Sequence, residues 1–162
     1  MEIMLAYDDS RNARIALETV RRMFAPLKPV ITLISVIEDI GSATAGADDL
    51  FNEQFAAQKA ATDAAAAELA AHGFEARVII AQGDARKMIL RATEERNPDL
   101  LVMARHSHQP DSGPLGFITK RLDAIVEEFD HMTFGSVSAF LARRAKCPLL
   151  IVPTPALPKG AR

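Results

Sequence analysis

Asp99-Leu100-Leu101-Val102-Met103-Ala104 decides the fold. It is an unbroken apolar run, and Asn97-Pro98 ahead of it ends the helix that precedes. A run with no polar alternation suits a strand covered on both faces, which is how parallel strands are buried. Downstream, Gly135-Ser136-Val137-Ser138 opens another helix. Between the two, Arg105 to Phe134 hold a polar loop and an extra helix, in which Leu115, Ile118, Leu122, Ile125 and Phe129 recur at steps of three and four. In parallel α/β proteins, ligands sit beyond the carboxyl ends of the strands, where helix N-termini point at them. This split segment is therefore where function is expected.

The rest of the chain repeats the alternation of strand and helix. Ile3 to Tyr7 is the first strand, and Asp8-Asp9-Ser10 caps the next helix, whose apolar side is Ala13, Ala16, Leu17, Val20, Met23 and Phe24. Pro26 and Pro29 stop it. Val30 to Ile37 is a β-branched second strand, followed by a loop from Ile40 to Asp48. A long alanine-rich helix covers about Asp49 to His72, with Gly73 as its C-cap. Phe74 to Ala81 is the third strand; Gly83-Asp84 leads into a helix carrying Met88, Ile89, Ala92 and Thr93. Val137, Phe140, Leu141 and Ala145 mark the final helix, and Cys147 to Pro153 the fifth strand. Right-handed crossovers place the first and fourth strands side by side at a switch point. The expectation is one α/β domain over 1–153, a five-stranded parallel sheet with helices on both faces. It carries an insertion at about 108–134, with a helix between the fourth strand and the last helix, and a Pro- and Gly-bearing tail at 154–162 read as flexible.

Composition narrows the classes of function. At 162 residues and 49% apolar content the chain can bury a full core. A net charge of -2 speaks against nucleic acid or an anionic membrane as partner. Cys147 is the only cysteine, so no internal disulfide forms, which suits a reducing compartment. With no basic, apolar leader at the start and no long apolar span, the expected location is cytoplasmic.

No G-x-x-x-x-G-K-[ST] loop is present, and no G-x-G-x-x-G follows the first strand. An acid at Asp8 would repel a phosphate but can accept from a ribose hydroxyl or an adenine amine. Gly135-Ser136-Val137-Ser138 offers the free N–H groups, dipole and hydroxyls that bind phosphate, although many helices begin this way for capping alone. His106-Ser107-His108 lacks a companion cluster for a metal, and Cys147 before Pro148 suits burial better than reactivity. Asp8 and Asp9 do not suit an acid/base dyad, because adjacent residues on one turn usually point apart. No G-x-S-x-G supports a serine nucleophile.

Together these elements resemble the universal stress protein family. The likeness runs from about Ile3 to Pro153, the insertion apart. It is carried by Asp8-Asp9-Ser10, Gly83-Asp84, the Asp99 to Ala104 strand, Gly135-Ser136-Val137-Ser138 and Cys147-Pro148-Leu149-Leu150-Ile151-Val152. The resemblance implies strand order 3-2-1-4-5, a homodimer paired along the fifth strand, and an adenine nucleotide, ATP or AMP, with magnesium accompanying ATP. It implies Asp8 and Ser10 at the first turn, with Asp8 facing ribose or adenine, and Val36 holding adenine through its backbone. It implies Gly83, Ala104, Arg105, Ser107, Gly135, Ser136, Val137 and Ser138 around the ribose and phosphates.

Two departures stand out. ATP-binding members carry G-x-x-G and, after a short spacing, G-[ST]. Here the glycine positions hold Ala104 and Ser107, and the run 108–134 far exceeds that spacing. Glycine there lets backbone approach phosphate closely. Gly113-Pro114-Leu115-Gly116 is a second G-x-x-G, but Pro114 removes a donor, and it suits a turn into the inserted helix. Three readings follow: a nucleotide-binding regulatory module that is no enzyme; a dimeric interaction protein binding no nucleotide, whose inserted helix is a partner surface or occludes the site; and, last, an ATPase or nucleotidyl-transfer enzyme, for which no base or metal set is identifiable.

Overall fold

The computed structural model describes residues 1–38, 47–105 and 136–153. In chain order it contains β1 (Glu2–Ala6), α1 (Arg11–Phe24), β2 (Val30–Ile37), α2 (Ala47–Ala71), β3 (Glu75–Gln82), α3 (Ala85–Arg96), β4 (Leu100–Ala104), α4 (Ser136–Arg144) and β5 (Leu149–Val152). The strands form one parallel sheet in the order β3-β2-β1-β4-β5, the order that the family resemblance implies. The inserted helix, the centre of the loop after β2 and the tail lie outside the described residues.

The two faces of the sheet carry separate cores, because alternate strand residues point to opposite sides. Ile3, Leu5, Ile31, Leu33 and Val102 pack with Ala13, Ala16, Leu17 and Val20 of α1 and Ala65 and Leu69 of α2. Met4, Ile34, Leu101 and Met103 pack on the other side with Ile89 and Ala92 of α3 and Leu141 of α4. β1 sits between β2 and β4, with Leu5 opposite Leu33 on one side and Val102 on the other.

The element ends differ from the predicted ones for local reasons. β1 ends at Ala6, yet the N–H of Tyr7 still donates to the carbonyl of Ile34 at 2.9 Å. At the end of α2, Gly73 takes φ 79°, and the N–H of Phe74 turns back to the carbonyl of Leu69 at 3.1 Å. That is a left-handed helix cap, so Phe74 belongs to the cap and β3 begins at Glu75. Asp99 exchanges bonds with Glu2: its N–H donates to the Glu2 carbonyl, and its carboxylate accepts from the Glu2 N–H at 2.7 Å.

At the amino ends of the strands, the Glu2 carboxylate joins three elements. It accepts from the buried Thr32 hydroxyl at 2.7 Å and from Arg96 Nε at 2.9 Å, with Arg77 at 3.9 Å. Burial works against its charge, but the hydrogen bonds from Thr32 and Arg96 outweigh it and hold the carboxyl below its usual 4.5. A carboxyl depressed by folding stabilises above its unfolded value, and this contribution is lost as pH falls through the lower folded value. Denaturant titrations should therefore find Glu2→Gln less stable by about 1 kcal/mol at pH 7. The deficit should shrink as the pH drops below 4.5. A deficit that is constant with pH would contradict this assignment.

Candidate functional site

The turn after β1 is built from four residues with separate tasks. Ser10 caps α1: its Oγ accepts from the N–H of Ala13 at 3.1 Å. The Asp8 Oδ1 accepts from the N–H of Ser10 at 3.1 Å. Asp9 takes φ 60°, a conformation that aspartate tolerates better than most residues. Its carboxylate accepts from Tyr7 Oη at 2.9 Å and from Arg14 Nε and Nη2 at 3.0 and 2.8 Å. The Arg14 guanidinium holds Asp9 below the usual carboxylate range. Burial, together with the Asp9 carboxylate, pushes the Tyr7 phenol up to about 12. The two adjacent acids thus face different spaces. Asp9 lines a hollow of about 330 Å³ between α1 and α2, while Asp8 lines a crevice of about 520 Å³ on the other side.

That crevice lies where β1 and β4 part, at the carboxyl end of the sheet. Its depth is apolar, formed by Ile34, Val36, Ile89 and Met103. Its charged residues are Asp8 and Glu38 on the β1–β2 side and Arg105 on the β4 side. The Arg105 backbone is fixed at both ends: its N–H donates to the Val152 carbonyl at 2.8 Å, and its carbonyl accepts from Asn12 Nδ2 at 3.3 Å. Beside it, Ser136, Val137 and Ser138 present the first turn of α4. First-turn N–H groups have no partner within their own helix, and the dipole favours an anion there.

Of the residues expected around a ligand, the structure brings Asp8, Ser10, Val36, Ala104, Arg105, Ser136, Val137 and Ser138 onto this one crevice. Gly83 is placed elsewhere. It turns the chain between β3 and α3 at φ 128°, with its N–H on the Ile37 carbonyl at 2.9 Å, and it is not among the lining residues. Its neighbour Asp84 caps α3, accepting from the N–H groups of Arg86 and Lys87 and pairing with the Arg86 side chain, which lowers its carboxyl to about 2. Ser107 and Gly135 lie outside the described residues, as do His106 and His108. Sequence reasoning missed Glu38 and Asn12. The signal for Glu38 is its place in the alternating row Ile34, Val36, Glu38; Asn12 shows only as a polar residue in the first turn of a helix. Among the described residues, no group of three His, Cys, Asp or Glu side chains is placed to hold a metal. No described helix is long and apolar enough to cross a membrane.

Comparison with known proteins agrees with this architecture. The model of the universal stress protein family matches residues 1–153. No curated protein matches the sequence. Among solved structures, universal stress protein UspA from Lactobacillus plantarum is similar with a TM-score of 0.67 at 16% identity, over 94% of this chain and 97% of that one. A universal stress protein in complex with cAMP is similar with a TM-score of 0.61 at 22% identity, over 94% and 96% of the chains. A universal stress protein family protein from Arabidopsis thaliana with AMP bound has a TM-score of 0.64 at 17% identity, over 96% and 93%. At these identities the structural likeness is one of fold.

Because Gly83 holds a backbone conformation that a side chain strains, Gly83→Ala should lower stability by about 1–2 kcal/mol in a thermal or denaturant melt. Ligand affinity at the crevice should stay within about threefold of the parent; a larger selective loss of affinity would place Gly83 in the ligand contact after all.

Proposed function

The chain belongs to the universal stress protein family, and from that premise we propose that it is a regulatory stress-response module that binds an adenine nucleotide in the crevice between β1 and β4. One observation carries this reading: Asp8, Val36, Arg105 and the first turn of α4 converge on a single cavity of about 520 Å³, a size that suits a small-molecule ligand. The apolar depth would take the adenine ring, with the Val36 backbone beside it. Arg105 and the α4 N-terminus would take phosphate. Proteins of similar fold have AMP and cAMP bound. ATP, were it the ligand, would arrive with magnesium. In this proposal the nucleotide is a bound signal rather than a substrate, and the setting is the cytoplasm, in keeping with the lone Cys147.

Ala104 favours a second reading. Its methyl group lines the crevice where ATP-binding relatives have glycine, which would suit an interaction protein that binds no nucleotide. Calorimetric titration with ATP and AMP, with and without magnesium, separates the two. The nucleotide reading expects saturable binding that Ala104→Leu, by filling the crevice, weakens roughly tenfold or more. A folded protein that takes up neither nucleotide supports the second reading.

We further propose a homodimer paired along β5. This strand forms one edge of the sheet, and Leu149, Leu150 and Ile151 are only partly buried. An apolar edge that no described residue covers invites strand pairing. The carbonyls of Pro148 and Val152 face β4, so by alternation the N–H of Ile151 points outward. Sedimentation should find a dimer for the parent and a folded monomer for Ile151→Pro, which removes that donor while sparing the β4 pairing. A monomeric parent at micromolar concentration would refute the dimer.

A further inference from the structure

Asn12 and Arg105 are 93 positions apart in the chain, yet they line the same crevice and share a hydrogen bond. Asn12 Nδ2 donates to the Arg105 carbonyl at 3.3 Å. The cap of α1 does not come from Asn12, because Ser10 Oγ already accepts from the N–H of Ala13. The capped first turn is therefore a fixed post, and the Asn12 amide reaches from it to the end of β4.

Arg105 is the first residue after β4, and its N–H still bonds to β5 through the Val152 carbonyl at 2.8 Å. Its own carbonyl leaves that ladder for Asn12. Among the described residues the non-glycine positions at positive φ are Asp9, Lys28 and Asn97, so neither Ala104 nor Arg105 turns the chain by a left-handed conformation. Partners on two sides set the exit from β4 instead. A residue has only two soft backbone dihedrals. With the N–H on β5 and the carbonyl on α1, both peptide planes beside the Arg105 Cα are held, and the direction of its side chain follows from tetrahedral geometry. That direction continues the alternate row Leu101, Met103, which packs with Ile89 of α3 and Leu141 of α4. Arg105 thus leaves the backbone on the side where Ser136, Val137 and Ser138 line the crevice. A guanidinium meets phosphate through donors in a rigid fork. An arm already aimed loses less freedom when the ligand arrives.

We propose that Asn12 is a positioning residue: by holding the Arg105 carbonyl, it aims the Arg105 guanidinium at the phosphoryl group of the nucleotide. The inference rests on the adenine-nucleotide reading above. The test is calorimetric titration of AMP and adenosine into the full chain, Asn12→Ala, Arg105→Ala and the double variant. Adenosine has no phosphoryl group, so it reports whether the rest of the crevice is intact. Arg105→Ala should weaken AMP about tenfold or more, the worth of a hydrogen bond to a charged group. Asn12→Ala should weaken AMP about threefold to tenfold, the cost of ordering one long side chain. Adenosine should stay within about twofold of the parent for every variant, and adding Asn12→Ala to Arg105→Ala should cost AMP no more than about twofold further. Equal losses for AMP and adenosine in Asn12→Ala would overturn the inference, since Asn12 would then only support the fold. Losses that multiply in the double variant would overturn it too, since Asn12 would then act independently of Arg105, as would an unchanged AMP affinity in Asn12→Ala. In each of those outcomes the parent still binds AMP, so the nucleotide reading stands. No saturable binding of AMP or adenosine by the folded parent would overturn both.

Discussion

The structure depends on one constraint of parallel sheets: every strand must be reached by a crossover, and the crossovers on the two sides of β1 run to opposite faces. α1 and α2 cover one face and α3 and α4 the other. β1 and β4 are therefore neighbours whose following segments part, and a crevice opens above them that no side chain need be sacrificed to create. The two aliphatic cores hold the strands rigid beneath it. The crevice-lining groups are thus set on turns and helix ends that a packed sheet positions, which gives them fixed directions without a large aromatic framework.

The turn after β1 shows how local chemistry sets those directions. Asp9, at positive φ, is held by Tyr7 and Arg14 on the α1–α2 side. With Asp9 held there and Ser10 committed to capping α1, Asp8 faces the crevice. Two acids that look interchangeable in the sequence have different places, one paired with Tyr7 and Arg14 and one lining the crevice. The Gly83-Asp84 turn is the complementary case. Its glycine permits a backbone shape and its aspartate caps a helix, so both are explained by folding alone.

Much of this was legible in the sequence because the signals were physical and redundant. The β-branched run Val30 to Ile37 coincides with β2, and the polar turn ahead of Ala13 contains the cap that α1 uses. The alternation of apolar runs with helical periods led to a parallel sheet with the first and fourth strands adjacent, and the family resemblance supplied the full strand order. Element ends were less legible: Phe74 looks like strand sequence, and only the fold of the Gly73 cap assigns it to the helix terminus. Glu38 escaped notice because an acid after a strand resembles any solvated loop residue; its place on the crevice depends on which face β2 turns toward α3. Asn12 escaped because its partner, the Arg105 carbonyl, is distant in sequence and known only once β4 lies beside α1.

The central claim is that the space above β1 and β4 is a ligand site. Mapping amide chemical shifts while adding AMP tests it directly. The account predicts concentration-dependent shifts confined to the carboxyl ends of β1, β2 and β4 and to the first turn of α4, with the Glu2–Thr32–Arg96 cluster at the opposite end of the sheet unmoved. Shifts centred on another surface, or none at saturating nucleotide, would contradict it.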